Sequence, residues 1–367
     1  MALFDDEPDA RRRVRPLRER IGWTALGISV VIGLVFALLP SPYVIQQPGP
    51  VFDTLGTFER DGEEVPLIEI EDAQTYPTDG SLDLLTVSAR GRPGNTPGWL
   101  DVIGAWFDPS RAALPIEVVF PPGLSEDDRN AQNEALMVDS QQDAIAAALV
   151  ELGYDFPREV VIAGIAEESP AEGVLVVGDV ITAVDGTEVH AIDELRTAVR
   201  EHGTESPATV SVLREGQPLE VEITPVDRDG TVVLGVGVRM RYEFPVDVTI
   251  QLDDVGGPSA GMMFALGIVD KLTPEAMTGG ENVAGTGTID SAGNVGGIGG
   301  IRQKLFGALD AGADWFLAPE SNCDEVAGNV PDGLTVFAVS TLDEAREIVE
   351  TVAEGGDTAT FRGCDRS

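Results

Sequence analysis

At 367 residues the chain has room for two or three domains, and its 43% hydrophobic content supplies a sizeable core. With 63 acids against 24 bases the formal net charge is −39, a field that repels phosphate backbones and argues against nucleic-acid binding. Among the bases only Lys271 and Lys304 are lysines; the rest are arginines.

Residues 1–20 hold six arginines, Arg11, Arg12, Arg13, Arg15, Arg18 and Arg20, against five acids. The next 19 residues, Ile21 to Leu39, carry no charge. A bilayer core requires about 20 apolar residues of a helix, so 21–39 is expected to be a transmembrane helix. The arginines on its N-terminal side predict that 1–20 is a cytoplasmic tail and that the remainder is exported. A cleaved signal peptide would have a shorter apolar run, about 7–15 residues, ending in small side chains. Here the run ends in Leu38-Leu39-Pro40-Ser41-Pro42, which favours an uncleaved anchor.

Residues 41–56 are turn-rich, and over 57–120 the runs VPLIEI, LDLLTVSA and LPIEVVF read as strands. Residues 124–134 (LSEDDRNAQNE) read as a polar loop. SQQDAIAAALVELG follows, with Ala144, Ala148 and Leu152 at helical spacing. The tail 351–367 reads as frayed apart from Cys364. Cys323 and Cys364 can pair in an oxidising compartment, and otherwise stand as two buried thiols. With no CxxC and no histidine near a cysteine, no metal site is expected.

Residues 159–225 read as strand, Ser169-Pro170-Ala171 turn, Gly178-Asp179 turn, strand Val180–Val184, a tight Asp185-Gly186 turn, a helix over 193–201 and a two-stranded hairpin. This unit resembles a PDZ domain of the bacterial protease-associated type. The resemblance implies that it binds extended peptides by adding a strand to a sheet edge. The glycine-hydrophobic loop that cradles a peptide carboxylate is not found. Its nearest match is LGYDF at 152–156, so carboxylate capture is not implied, and a spacer without a ligand is the other reading.

Val246 to Leu252 alternates like a strand, DDVGG turns the chain, and Pro258-Ser259-Ala260-Gly261 opens an apolar helix through about Leu272. Ser259 then sits where free backbone N–H groups could hold an oxyanion, although serine is also a common N-cap. A nucleophilic serine needs a base. His190 and His202 both lie in the PDZ-like unit, and Lys271 lies roughly 18 Å away along the serine's own helix at about 1.5 Å per residue. Lys304 remains. It falls inside the apolar stripe Ile301, Leu305, Ala308, Leu309 of a helix ended by Gly312, where leucine would be ordinary. A lysine there either snorkels to solvent or is functional; burial lowers its pKa, so the neutral amine can act as a general base, which arginine cannot do.

Residues 256–304 resemble the proteolytic domain of the Lon family of Ser-Lys peptidases: Gly257-Pro258-Ser259-Ala260-Gly261 matches the nucleophile motif, and IGGIRQK (298–304) followed by AGAD (311–314) matches the stretch with the lysine. The resemblance implies Ser259 as nucleophile, Lys304 as general base, and Thr286 as a residue orienting the dyad. Backbone N–H groups at Gly257, Ser259 and Ala260 are then expected to hold the oxyanion. Gly256 stands where the family has an acid, and Thr288 where it has a glutamate after Thr-Gly, so substrate preference does not carry over.

The resemblance extends over about 230–350. Anchor, PDZ unit and Lon-type domain in this order resemble the membrane-anchored, PDZ-containing Lon-like proteases of bacteria (the YlbL-type group). No GxxxxGK[ST] occurs, so neither nucleotide nor cofactor is expected. The expected fold is an α/β (α+β) Lon-type domain plus a β-rich PDZ-like domain after one transmembrane helix. The division is 1–20 cytoplasmic tail, 21–39 span, 40–125 exported region joining the Lon-like fold, 126–228 PDZ-like domain, 229–350 Lon-type domain and 351–367 tail. The resemblance implies an ATP-independent serine endopeptidase on the outer face of the cytoplasmic membrane, with unfolded polypeptides as substrates and hexameric rings as the family's assembly. A membrane-tethered PDZ adaptor with an inactive Lon-like fold is the alternative.

Overall fold

The computed structural model describes residues 17–60, 62–121, 123, 125–252 and 256–364, without the side chains at 17–20, 34–38 and 126. The arginine-rich segment before Leu17 and the turn at 253–255 lie outside the described residues. The chain divides into two units, 1–46 with 89–122, and 47–88 with 123–367.

In the smaller unit Leu17–Leu38 is helical, and its described side chains, 21–33, are all exposed. Among the described residues no helix is long and apolar enough to cross a membrane, so the expected span is not found as such within them. Tyr43–Gln46 pairs antiparallel with Ala112–Pro115, from Tyr43↔Pro115 to Gln46↔Ala112. Of LPIEVVF only Leu114 and Pro115 are therefore strand. Pro115 ends the pairing because proline has no N–H to give a ladder, and Ile116–Val119 turns as a short helix closed by Phe120 N–H donating to Ile116 O (2.7 Å). Trp99–Phe107 is a helix that the strand reading of 57–120 did not anticipate. Its inner face, Val102 and Ala105, closes a small core with Ile45, Tyr43 and Ala113.

The larger unit is built on a sheet in the order Thr335–Val339, Trp315–Pro319, Asn282–Gly285, then 81–88 and 47–53. The first four are parallel, with Val283 opposite Trp315 and Leu82, and Leu317 opposite Phe337. Parallel strands are covered on both faces, which is why Trp315–Pro319 reads as an unbroken apolar run. Gly261–Leu272 is apolar all round and buried over ten consecutive residues, as a core helix must be. A Cβ on Gly267 would lie 2.7 Å from Thr54 Oγ1 and 2.9 Å from Ile68 Cδ1, so the close packing there needs glycine.

Against that core helix lies the longest helix, Glu126–Glu151, through Met137, Ile145, Ala148 and Leu149. Residues 126–134 are thus its first turns and not a loop. Ser125 Oγ accepts from Asp128 N–H (3.0 Å), and Asp127 and Asp128 suit the positive end of the helix; those turns are exposed, so no apolar periodicity marks them. This helix packs on the core of Gly261–Leu272 and lies within the 126–228 that the sequence division gives to the PDZ-like domain.

The PDZ-like sheet runs Gln217–Ile223, Ala208–Arg214, Val180–Val184, Arg158–Ile165, Val236–Tyr242 around its own core. Asp185 (φ 49°) and Gly186 (φ 79°) both turn left-handed, as a two-residue hairpin loop demands. Val236–Tyr242 pairs with Arg158–Ile165, so this sheet extends past the expected boundary at 228. The C-terminal tail is not frayed as far as Cys364: Ala338 N–H donates to Arg362 O (2.8 Å), Phe361 packs edge-on to Phe337, and Cys364 is disulfide-bonded to Cys323.

Candidate active site

Helix Gly261–Leu272 starts at Gly261, with Ala260 as its N-cap and no side chain capping it. Pro258 therefore precedes the helix instead of occupying its first turn, and the Ser259 hydroxyl is not an N-cap acceptor. The loop is held from two sides. Asn133 O accepts from Gly257 N–H (3.3 Å) and Ser140 Oγ donates to Pro258 O (3.0 Å), both from the long helix. On the other side Ser259 O accepts from Gly287 N–H (2.9 Å), and Met262 N–H donates to Gly287 O (3.1 Å). A Cβ on Gly261 would stand 2.9 Å from Ile289 Cγ2 and 3.0 Å from Ser140 Oγ, so the motif's last glycine is fixed by close approach.

The lysine arrives on helix Ile301–Ala311. Gly300 begins it at φ 70°, where a Cβ would press to 2.9 Å on Val87 Cγ2, and Gly312 ends it in the left-handed region. Lys304 is 2% exposed. It does not snorkel: Nζ lies 2.8 Å from Ser259 Oγ and 2.8 Å from Thr286 Oγ1. Thr286, fully buried, donates its hydroxyl proton to Ser259 O (2.9 Å). Its oxygen therefore accepts from the amine, and the remaining amine valence faces Ser259 Oγ. Burial alone pushes Lys304 down from 10.5 to about 7, so near neutrality a large fraction is unprotonated. Such an arrangement can take a proton from the serine hydroxyl.

Of the three backbone groups expected to hold an oxyanion, Gly257 N–H is occupied by Asn133 O. Among the described residues, the N–H groups of Ser259 and Ala260 donate to no backbone carbonyl. Lys271 lies at the far end of the serine's helix, donating to Leu55 O (3.2 Å), and is not brought to the site. His202 is paired with Asp185 (2.6 Å) and Ser206 O (2.9 Å) within the PDZ-like fold. Asn133 and Ser140 were not anticipated. They fall where the sequence reads as loop and helix start, and only their placement against Pro258 reveals them.

A second feature is a cleft of about 780 Å³ in the PDZ-like fold. It is lined by Leu195, Arg196, Val199 and Arg200 of helix Ile192–His202 and by Leu234 and Val236. Leu234-Gly235 is a glycine-hydrophobic turn leading into strand Val236–Tyr242, beyond the 159–225 unit and not at LGYDF (152–156), the nearest match in the sequence. Gly235 takes φ 80°, and its Cβ would fall 2.4 Å from Ser169 Cβ.

Residues 130–224 match the PDZ domain family, and 252–352 match the Lon protease (S16) C-terminal proteolytic domain. Lon protease 2 of Herpetosiphon aurantiacus is 36% identical over 132 residues, 34% of this chain and 16% of that protein. Lon protease 1 of Bacillus subtilis is 33% identical over 125 residues, 33% of this chain and 16% of that one. The chain therefore spans only about a sixth of the length of these relatives. The solved PDZ domain of an SdrC-like protein from Listeria innocua aligns over 22% of this chain and 92% of its own, at 23% identity and a TM-score of 0.21. The chain thus contains a stretch that matches a PDZ domain, followed by one that matches a Lon-type proteolytic domain.

Proposed function

We propose that the protein is an ATP-independent, membrane-anchored serine endopeptidase in which Ser259 and Lys304 form the catalytic dyad. The observation that carries this reading is the 2.8 Å approach of a buried Lys304 Nζ to Ser259 Oγ. Ser259 Oγ attacks the scissile carbonyl while its proton passes to Lys304. The resulting ammonium donates to the leaving amine, and the acyl-enzyme is hydrolysed by a water that Lys304 deprotonates in turn. Ser259 and Ala260 N–H groups hold the developing oxyanion, and Thr286 keeps the amine aimed at the hydroxyl. The cleft beside Leu234–Gly237 takes an extended segment of the substrate and presents it to the dyad.

The anchor is the uncharged run 21–39, preceded by six arginines, which puts the catalytic domain outside the cytoplasm. Unfolded polypeptides are the substrates this reading assigns to it. The test is cleavage of an unfolded protein, without nucleotide, by the wild-type chain, Ser259→Ala and Lys304→Arg. Both variants are expected to lose cleavage, and a variant that cleaves like wild type sinks the dyad.

A further inference from the structure

Helix Trp99–Phe107 buries Val102 and Ala105 and turns four large apolar side chains to solvent: Leu100 (65% exposed), Ile103 (41%), Trp106 (58%) and Phe107 (85%). At 3.6 residues per turn these four share an arc of roughly 120°. An apolar face of this kind on a protein surface marks something that covers it. Inside the smaller unit the helix begins where the chain leaves helix Leu17–Leu38: Ser41 N–H and Oγ both bond Pro97 O (3.0 and 2.7 Å), and Pro40 bridges Gly98.

Charge points the same way. Residues 40–46 and 89–122, the part of the smaller unit that this reading places beyond the anchor, hold three bases and three acids, while the larger unit carries a net charge of −40. Asp101, the acid on this helix, is paired with Arg90 at 3.4 Å. The smaller unit can therefore approach anionic headgroups that the larger one repels. Four side chains on a nine-residue helix fall short of the ~800 Å² that each partner contributes to a standard protein interface, which disfavours a second copy.

We infer that Trp99–Phe107 is an interfacial helix lying on the bilayer, with Leu100, Ile103, Trp106 and Phe107 in the zone between headgroups and acyl chains. This rests on the proposal that 21–39 anchors the chain. The anchor brings the helix start to the membrane surface, and tryptophan and phenylalanine are side chains suited to that depth. Lying flat, such a helix fixes the azimuth and tilt of the small unit, which a single spanning helix leaves free.

The full chain, with Phe107→Cys or Leu100→Cys and its native disulfide intact, is labelled with a thiol-reactive NBD dye and reconstituted into phosphatidylcholine–phosphatidylglycerol vesicles; Asn95→Cys, on the neighbouring exposed turn, is the control. At 107 and 100 we expect blue-shifted emission, lost to brominated acyl chains and shielded from aqueous iodide; at 95 the reverse. Iodide quenching at 107 and 100 equal to that at 95, in a chain that floats with the vesicles, overturns the interfacial helix and leaves the anchor standing. Shielding from both quenchers, with self-quenching between labelled chains, assigns the face to a second copy and also overturns it. A chain that does not float with the vesicles overturns the anchor and this inference together.

Discussion

Lys304 concentrates the chemistry and its cost in one side chain. A lysine held at about 7 instead of its ordinary 10.5 lowers the stability of the fold by roughly 5 kcal/mol at neutral pH, relative to pH above 10.5. The sign follows from proton counting. Between about 7 and 10.5 the unfolded chain holds a proton that the folded one lacks, so stability falls as pH falls through that window and levels below it. Lys304→Met is therefore expected to be inactive yet more stable than wild type at pH 7, with the gain shrinking toward pH 10; calorimetric melting across that range checks it. Thr286 is tied to both partners. Thr286→Val removes the acceptor for the amine and the donor to Ser259 O, and a loss of about 1.5–3 kcal/mol predicts a fall in kcat of roughly 10–100-fold, with Thr286→Ser restoring most of it.

At the scale of elements, helix Glu126–Glu151 both packs the core and steadies the serine loop. The Ser140 hydroxyl fixes the carbonyl of Pro258, hence the peptide unit whose N–H belongs to Ser259. Ser140→Ala is expected to lower kcat several-fold, about what one neutral hydrogen bond of ~1 kcal/mol supports, while KM for a short peptide stays unchanged. A melting temperature close to that of wild type separates this from a general loss of fold, which would also lower apparent kcat at unchanged KM by reducing the active fraction. Sequence reading handled the elements unevenly for a physical reason. Gly257–Gly261 and the Lys304 helix carry their signal in residues that are locally out of place, a bare serine among glycines and a lysine in an apolar stripe. The first turns of the long helix carry only exposed polar residues, and helix Trp99–Phe107, almost wholly apolar, shows no alternation to separate it from a strand.

Across the whole molecule, what could not be read locally is what long-range pairing decides. Val236–Tyr242 joins the PDZ-like sheet by pairing with Arg158–Ile165, more than 70 residues earlier, and so carries the Leu234-Gly235 turn into that domain. The tail is likewise ordered by a distant partner. The disulfide spans a separation of 41 residues, and opening it by Cys323→Ser with Cys364→Ser is expected to cost about 2–4 kcal/mol and lower the melting temperature, without altering the pH dependence of cleavage. All of this converges on one claim, that Ser259 is activated by a neutral Lys304. The direct measurement is the rate at which a fluorophosphonate probe modifies Ser259 as a function of pH. The dyad predicts a single rise centred at about pH 7, absent in Lys304→Met, whose labelling drops to background. Labelling of Ser259 in Lys304→Met with the wild-type rate and profile would contradict it.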